Sequence, residues 1–139
     1  MLEEFVSKSM NDTIEFAKHF AGSLFAGDII LLKGDLGAGK TVFVKAVTEK
    51  FSNGEMIAVS PTFTIVNSYD TVPKIHHFDL YRINDVSELD AIGAEEYLYS
   101  DGISFIEWPE RAEGYFFGKT IKVEILKVSD NERLIRVER

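Results

Sequence analysis

The spacing of apolar and polar residues predicts helices and strands that alternate through the first half of the chain. Residues 9–25 carry apolar side chains at helical spacing, and Asn11 or Asp12 is placed to cap the start of that helix. The next segment, residues 28–33, is apolar on both faces, which is typical of a central parallel strand. A glycine-rich loop follows, and residues 40–51 then have the pattern of a second helix.

The second half of the chain predicts two antiparallel hairpins with a helix and a buried strand between them. Each hairpin consists of two alternating segments joined by a few turn residues. The pattern of the helix is interrupted at Gly93. Together the elements indicate an α/β fold with a parallel central sheet, antiparallel hairpin additions and helices on both faces, in a single domain over residues 1–139. The segments are the strands 62–69 and 74–80, the helix 86–99, the strand 102–107, and the strands 121–128 and 133–138.

The glycine-rich loop, residues 34–41, has the sequence Gly-Asp-Leu-Gly-Ala-Gly-Lys-Thr. In such a loop the backbone N–H groups surround phosphate oxygens, and the following helix directs its positive end at them. Lys40 would bridge the β- and γ-phosphates, while the Thr41 hydroxyl would hold magnesium. Because the loop joins a strand to a helix, it predicts a Walker A site for ATP and Mg²⁺ in a P-loop NTPase-like fold. The expected ATP contacts are Leu36, Gly37, Ala38, Gly39, Lys40, Thr41 and Val42.

An acidic residue at the end of a neighbouring strand is the second part that a P-loop enzyme needs. Glu107 ends the more apolar candidate strand, and Asp79 ends a strand that contains two histidines. Both can serve the site, although a carboxylate at a strand end also commonly caps a loop or pairs with a neighbouring cation. Thr62 lies on a loop after the second helix, where nucleotide switches place a γ-phosphate sensor. The alternative for Thr62 is a turn whose hydroxyls bond to their own backbone.

Three further side chains have both a structural and a functional interpretation. His76 and His77 are adjacent on a strand, so they point to opposite faces and cannot share a metal ion. At most one of them would reach the site, and packing is the favoured interpretation for both. Trp108 directly follows Glu107 and either packs in the core or lies beside the nucleotide.

Charge and composition narrow the classes of partner. Acidic residues outnumber lysine and arginine by 23 to 15, which gives a net charge of −8. Direct binding to DNA or RNA is therefore not expected, since it normally requires a basic surface. The chain has no cysteine, no apolar stretch long enough for a bilayer and no pattern of a signal peptide, so we expect a cytoplasmic protein without a membrane partner.

Four motifs, at residues 34–41, 60–64, 77–82 and 106–110, together resemble the TsaE (YjeE) family of small bacterial P-loop ATPases. Members of that family are needed to make threonylcarbamoyladenosine beside the anticodon of tRNA, and they act with a TsaB–TsaD pair. The resemblance therefore implies a weak, partner-stimulated, magnesium-dependent ATPase that meets a TsaB–TsaD-like complex directly and tRNA only indirectly. The motifs that carry it are residues 34–41, Ser-Pro-Thr-Phe-Thr at 60–64, His-Phe-Asp-Leu-Tyr-Arg at 77–82 and Ile-Glu-Trp-Pro-Glu at 106–110.

The resemblance also assigns roles to individual positions. One position departs from the family pattern, since Val42 stands where a second threonine is common and its hydroxyl would contact an α-phosphate. Two other functions remain open at this point: a small-molecule kinase, and a nucleotide-gated binding module without significant turnover. The implied roles are Lys40 on the phosphates, Thr41 and Glu107 around magnesium, Thr62 as a switch residue, Asp79 in catalysis, and Trp108 near the site.

Overall fold

The computed structural model describes residues 1–54, 65–116 and 118–139. Strands and helices alternate through its first half, as the pattern predicted, and both predicted hairpins are present. The elements are β1 (Leu2–Ser7), α1 (Met10–Ala21), β2 (Ile29–Lys33), α2 (Lys40–Ser52), β3 (Val66–Tyr69), β4 (Ile75–Asp79), α3 (Ser87–Ala91), α4 (Ala94–Leu98), β5 (Ile103–Glu107), a 3₁₀ helix (Pro109–Ala112), β6 (Ile121–Lys127) and β7 (Arg133–Glu138).

The strands form one seven-stranded sheet in the order β1-β7-β6-β2-β5-β4-β3. The four central strands, β6, β2, β5 and β4, are parallel to one another. Antiparallel pairs extend this core at both edges, with β7 and β1 on one side and β3 on the other. The arrangement confirms the α/β fold with a parallel centre and antiparallel additions.

Helices cover both faces of the sheet, and each face has its own apolar cluster. On one face α1 and α2 pack over the sheet through residues such as Phe20 and Phe43. On the other face α3 and α4 contribute Leu89 and Leu98 to a smaller cluster with the strands. The loop before α2 therefore lies at the end of a central strand that is buried from both sides, which holds the loop on a rigid support.

Two details at the N-terminal end differ from the sequence-based expectation. Strand β1 was not predicted, because five of its six residues are at least partly exposed and do not alternate regularly. Its place at the sheet edge is set by pairing with β7. The predicted cap of α1 at Asn11 or Asp12 was wrong: Ser9 is the cap, and its Oγ accepts a hydrogen bond from the Asp12 N–H at 3.1 Å.

The helical segment predicted at residues 86–99 is divided in two, as its interruption suggested. Gly93 separates α3 from α4 and adopts a left-handed conformation at the start of α4. Both helices are short, so their stability depends on the apolar contacts that they make with the sheet. Among the helices that the structure describes, none is long and apolar enough to cross a membrane.

Candidate functional site

The glycine-rich loop connects β2 directly to α2, so the strand–loop–helix order predicted from the sequence is confirmed. Gly39 precedes α2 and offers no side-chain hydrogen bond to the first turn of the helix. A helix start without a side-chain cap can direct its first N–H groups at a ligand, which is the basis of phosphate binding at such a position. Gly34 is needed for a different reason: a Cβ at this position would lie 2.8 Å from the backbone oxygen of Ile125.

Lys40 is the first residue of α2, and its side chain is buried although lysine is normally exposed. Its Nζ atom has no hydrogen-bond partner among the described residues. Burial lowers the pKa of Lys40, and the nearby carboxylates of Glu107 and Asp79 oppose that shift without cancelling it. A buried ammonium that lacks partners is costly, and triphosphate oxygens are acceptors that would satisfy it.

Asp79 and Glu107 end two adjacent parallel strands and are direct partners in the β4–β5 register. Both strands run in the same direction, so the two carboxylates lie at the same edge of the sheet as the glycine-rich loop. Glu107 is buried, whereas Asp79 is partly exposed. The sequence left the choice between these two acids open, and the structure brings both of them to Lys40.

His77 reaches the site as well, although the sequence favoured packing for both histidines. Its Nε2 lies 2.5 Å from Oε2 of Glu107, and both side chains are almost completely buried. His76 points to the other face, where its Nδ1 meets Ser68 Oγ at 2.8 Å and its ring packs against Tyr97. The signal for His77 was its spacing of two residues from Asp79, since alternate residues of a strand share a face.

The Asp79 carboxylate has a raised pKa, mainly because it is partly removed from water. A hydrogen bond to its Oδ1 from the Tyr81 N–H, at 3.0 Å, opposes this shift, and the charge of Glu107 adds to it. Asp79 is therefore more basic than an ordinary aspartate while its side chain stays accessible. That combination suits a group that orients a water molecule or accepts a proton from it.

Trp108 lies beside Lys40 and also packs against the apolar cluster on the α3–α4 face of the sheet. The Lys40 Nζ is 3.6 Å from the centroid of the Trp108 ring. The Tyr81 ring packs against the Trp108 ring, with the two centroids 4.9 Å apart. Trp108 has a positive φ of 59°, a strained conformation for a bulky residue, and such strain is concentrated at functional sites.

A cavity of about 170 Å³ adjoins the glycine-rich loop on the side of α1. Its walls come from the start of α1, from the loop itself and from the turn between β6 and β7. Arg133, which the sequence did not single out, lines this cavity together with the loop and donates hydrogen bonds to the Gly37 and Ala38 oxygens. The lining residues are Ser9, Met10, Thr13, Gly37, Ala38, Gly39, Val42, Asp130, Asn131 and Arg133.

Most of the residues predicted for the site are thus brought together at one edge of the sheet. Thr41 is the second residue of α2, and Leu36 is an exposed residue of the loop. Thr62 and the rest of the segment 60–64 lie outside the described residues. In the part of the chain that the structure describes, no three His, Asp or Glu side chains cluster as ligands for a metal ion.

Comparison with known proteins identifies the family. Residues 7–135 match the model of the family described as threonylcarbamoyl adenosine biosynthesis protein TsaE. The chain belongs to the TsaE family. It therefore has a role in the biosynthesis of threonylcarbamoyladenosine in tRNA.

Individual TsaE relatives resemble the chain over nearly its whole length. The tRNA threonylcarbamoyladenosine biosynthesis protein TsaE of Aquifex aeolicus is 38% identical over 141 residues, which cover 100% of this chain and 98% of the relative. The TsaE protein of Rickettsia prowazekii is 38% identical over 94% of this chain and 91% of its own length. The crystal structure of Bacillus subtilis YdiB superimposes with a TM-score of 0.81 at 29% identity, covering 99% of this chain and 84% of that one.

Proposed function

We propose that this TsaE-family chain binds and hydrolyses ATP with magnesium, and that its ATPase activity serves a TsaB–TsaD-like complex that modifies tRNA. The observation that carries the proposal is the buried ammonium of Lys40 at the start of α2, which has no hydrogen-bond partner among the described residues. This group has the charge and position to bind the β- and γ-phosphates, and a lysine held there without such a ligand would only reduce stability. The cavity beside the loop is proposed to take the adenine, bordered by the start of α1.

The two carboxylates are proposed to have separate roles. The hydrogen bond between His77 Nε2 and Glu107 Oε2 holds the carboxylate in place and so also fixes the orientation of its second oxygen. A fixed carboxylate suits the magnesium shell, where outer partners orient the residues that meet the ion. Asp79 has the raised pKa and the partial exposure that proton transfer from water requires. We therefore assign Glu107 to magnesium and Asp79 to turnover.

Magnesium is proposed to bind through Thr41 and Glu107 together with the phosphates. Protein sites for this ion commonly supply only one or two carboxylates and leave the remaining ligands to phosphates and water. That pattern fits the described residues, which contain no cluster of three candidate ligands. When bound, the ion would neutralise charge on the phosphate oxygens.

We propose that a partner completes the site, since Arg133, which contacts the loop, is engaged with its carbonyl oxygens. Arg133 donates to carbonyl oxygens and is not directed at the phosphate side of the loop. An arginine supplied from another protein is worth about 10³–10⁵ in rate for related enzymes. We therefore expect slow hydrolysis by the isolated chain and faster hydrolysis with the TsaB–TsaD-like complex, whose contact includes Thr62, Asp79 and Trp108. The net charge of −8 supports an indirect relation to tRNA.

The test is to titrate a purified TsaB–TsaD complex into this protein with ATP, with ADP or without nucleotide, and to measure binding and phosphate release. Tighter association with ATP and faster release of inorganic phosphate are the expected results. Transfer of the γ-phosphate to a small molecule would instead favour a kinase. ATP-dependent association without phosphate release would favour a nucleotide-gated binding module.

Substitutions of Asp79 and Glu107 distinguish the proposed roles of the two acids in the same assay. Asp79→Asn is expected to bind ATP almost normally and to hydrolyse it poorly, and Glu107→Gln to weaken the dependence of ATP binding on magnesium. Thr62→Ala is expected to reduce the response to the partner. Asp101→Asn is the matched control. Asp101 is exposed and lies just before the first residue of β5, whereas Glu107 is the last residue of that strand. If Asp79→Asn affects magnesium dependence and Glu107→Gln affects only turnover, the two assignments are reversed.

A further inference from the structure

Arg133, the first residue of β7, connects two parts of the chain that are far apart in sequence. Its Nε donates to the Ala38 oxygen at 2.9 Å, and its Nη2 donates to the Gly37 oxygen at 3.3 Å. Its Nη1 donates to three backbone oxygens of the turn between β6 and β7. The guanidinium thus joins that turn to the glycine-rich loop. The turn oxygens belong to Ser129 at 2.9 Å, Asp130 at 3.3 Å and Glu132 at 3.0 Å.

These contacts fix the orientation of two peptide groups in the loop. In a trans peptide the C=O of one residue and the N–H of the next point in opposite directions. Holding the Ala38 oxygen therefore directs the Gly39 N–H away from Arg133. The preceding peptide is held at both ends, since Arg133 binds the Gly37 oxygen and the Ala38 N–H donates to the Asp35 oxygen at 3.0 Å.

The side of the loop that Arg133 occupies also argues against direct phosphate binding by this residue. Its donors face carbonyl oxygens, and no acidic side chain is among these partners. Arg136, three residues from Arg133 along the same strand and therefore on the opposite face, is exposed and pairs with Glu4 at 2.9 Å instead. Arg133 therefore acts on the loop through the backbone carbonyl oxygens of the loop residues.

We propose that Arg133 is a positioning residue that sets the shape of the phosphate loop and couples it to the β6–β7 turn. This inference rests on the proposed ATP site. The planar guanidinium reaches both segments at once because its donors point in fixed, diverging directions. A lysine at this position donates from a single nitrogen, so it cannot reach the two loop peptides and the turn at the same time.

The test compares the binding of ATP and of inorganic triphosphate, both with magnesium, by calorimetry. Arg133→Ala is expected to weaken both ligands by the same factor, about 30-fold (about 2 kcal/mol), as for the loss of the two hydrogen bonds that organise the loop. Arg133→Lys is expected to show a similar loss. Arg136→Ala, the matched control, is expected to leave both affinities unchanged. Thermal unfolding without ligand is measured for every variant.

Each alternative role of Arg133 gives a different result. Full affinity in Arg133→Lys would mean that charge alone attracts the phosphates, and a loss for ATP only would mean that Arg133 acts by lining the base pocket and not through the loop. A lower unfolding temperature with unchanged affinities would make its role purely structural. Any of these results overturns the proposal, and Arg133→Lys decides the matter if Arg133→Ala does not fold. Wild-type protein that binds neither ligand would overturn the ATP site itself, and this inference with it.

Discussion

The Nζ atom of Lys40 lies 3.6 Å from the centroid of the Trp108 ring. This contact joins the first residue of α2 to the residue that directly follows β5, so the side chain proposed to bind phosphate is held against the strand end that carries Glu107. The aromatic face attracts the ammonium and offsets part of the cost of burying it. Tyr81 packs on Trp108 and limits the movement of its ring. The position of Lys40 is thus set by an aromatic pair as well as by the loop.

Replacing Lys40 tests whether its buried charge serves a ligand. Lys40→Met keeps the length of the side chain and removes the ammonium, so ATP affinity is expected to fall by about 100-fold, as for the loss of two charge-assisted hydrogen bonds. The free energy of unfolding without nucleotide is expected to rise, because burial outweighs the attraction of Glu107 and Asp79 in lowering the Lys40 pKa. Calorimetry and urea unfolding measure the two effects.

The control for this substitution is Lys50→Met, since Lys50 is an exposed residue near the end of the same helix. It is expected to change neither ATP affinity nor stability appreciably. Unchanged ATP affinity in Lys40→Met would contradict the role of Lys40 on the phosphates. A large loss of stability in that variant would show that the ammonium contributes to the fold instead.

Trp108 is the only tryptophan of the chain, so its fluorescence reports on the site without interference. Binding of ATP is expected to draw the Lys40 ammonium from the ring to the phosphates, which changes the emission of Trp108. Lys40→Met is expected to abolish this response even at concentrations of ATP that saturate the variant. An equal spectral change in Lys40→Met and in the wild type would place its origin elsewhere, for example in movement of Tyr81.

The main features of the fold were predictable because the pattern of apolar residues in each strand matches the position of that strand in the sheet. The two-sided apolar pattern of β2 corresponds to its place between β5 and β6, and the alternation of β6 and β7 corresponds to an antiparallel hairpin. Strand β1 escaped prediction because its partner β7 lies more than 120 residues away in sequence and its own side chains are mostly exposed. Pairing at an edge depends on that distant partner and leaves little local signal.

The candidate site was predictable where a motif fixes the chemistry, as at Lys40 and Thr41. The contacts of His77 and Arg133 were not, because both depend on tertiary arrangement. His77 acquires its partner from the neighbouring strand, and Arg133 reaches Ala38 across 95 positions of sequence. The choice between packing and function for Trp108 was also open, since only the structure shows which side chain covers its ring.

Two glycines of the loop are expected to respond differently to alanine. A Cβ at Gly34 would lie 2.8 Å from the Ile125 oxygen and 3.1 Å from the Ala38 Cβ, so Gly34→Ala should shift the loop and cost about 2 kcal/mol of stability. A Cβ at Gly37 would meet nothing within 4 Å, but its φ of 79° is unfavourable for alanine, a cost of about 1 kcal/mol. Urea unfolding of both variants measures the difference. Equal losses would show that crowding at Gly34 is relieved by movement of β6.

The raised pKa of Asp79 predicts how stability depends on pH. Its ordinary value is 3.8, and burial raises it in the folded protein. The native state therefore keeps its proton at a higher pH than the unfolded state does, so the wild type gains stability as the pH falls through the folded pKa towards 3.8. Above the folded pKa the carboxylate is ionised and the cost of its burial is fully present.

Asp79→Asn removes this titration while its amide oxygen can still accept from the Tyr81 N–H. Without nucleotide, the variant is expected to be more stable than the wild type at neutral pH, and its advantage should shrink as the pH falls towards 3.8. Urea unfolding of both proteins over this range, with Asp101→Asn as the control for loss of one negative charge, provides the measurement. An advantage that stays constant or grows on acidification would mean that the ionised carboxylate is stabilised in the fold. Asp79 would then be a structural acceptor for the Tyr81 backbone, and its proposed role in turnover would lose its physical basis.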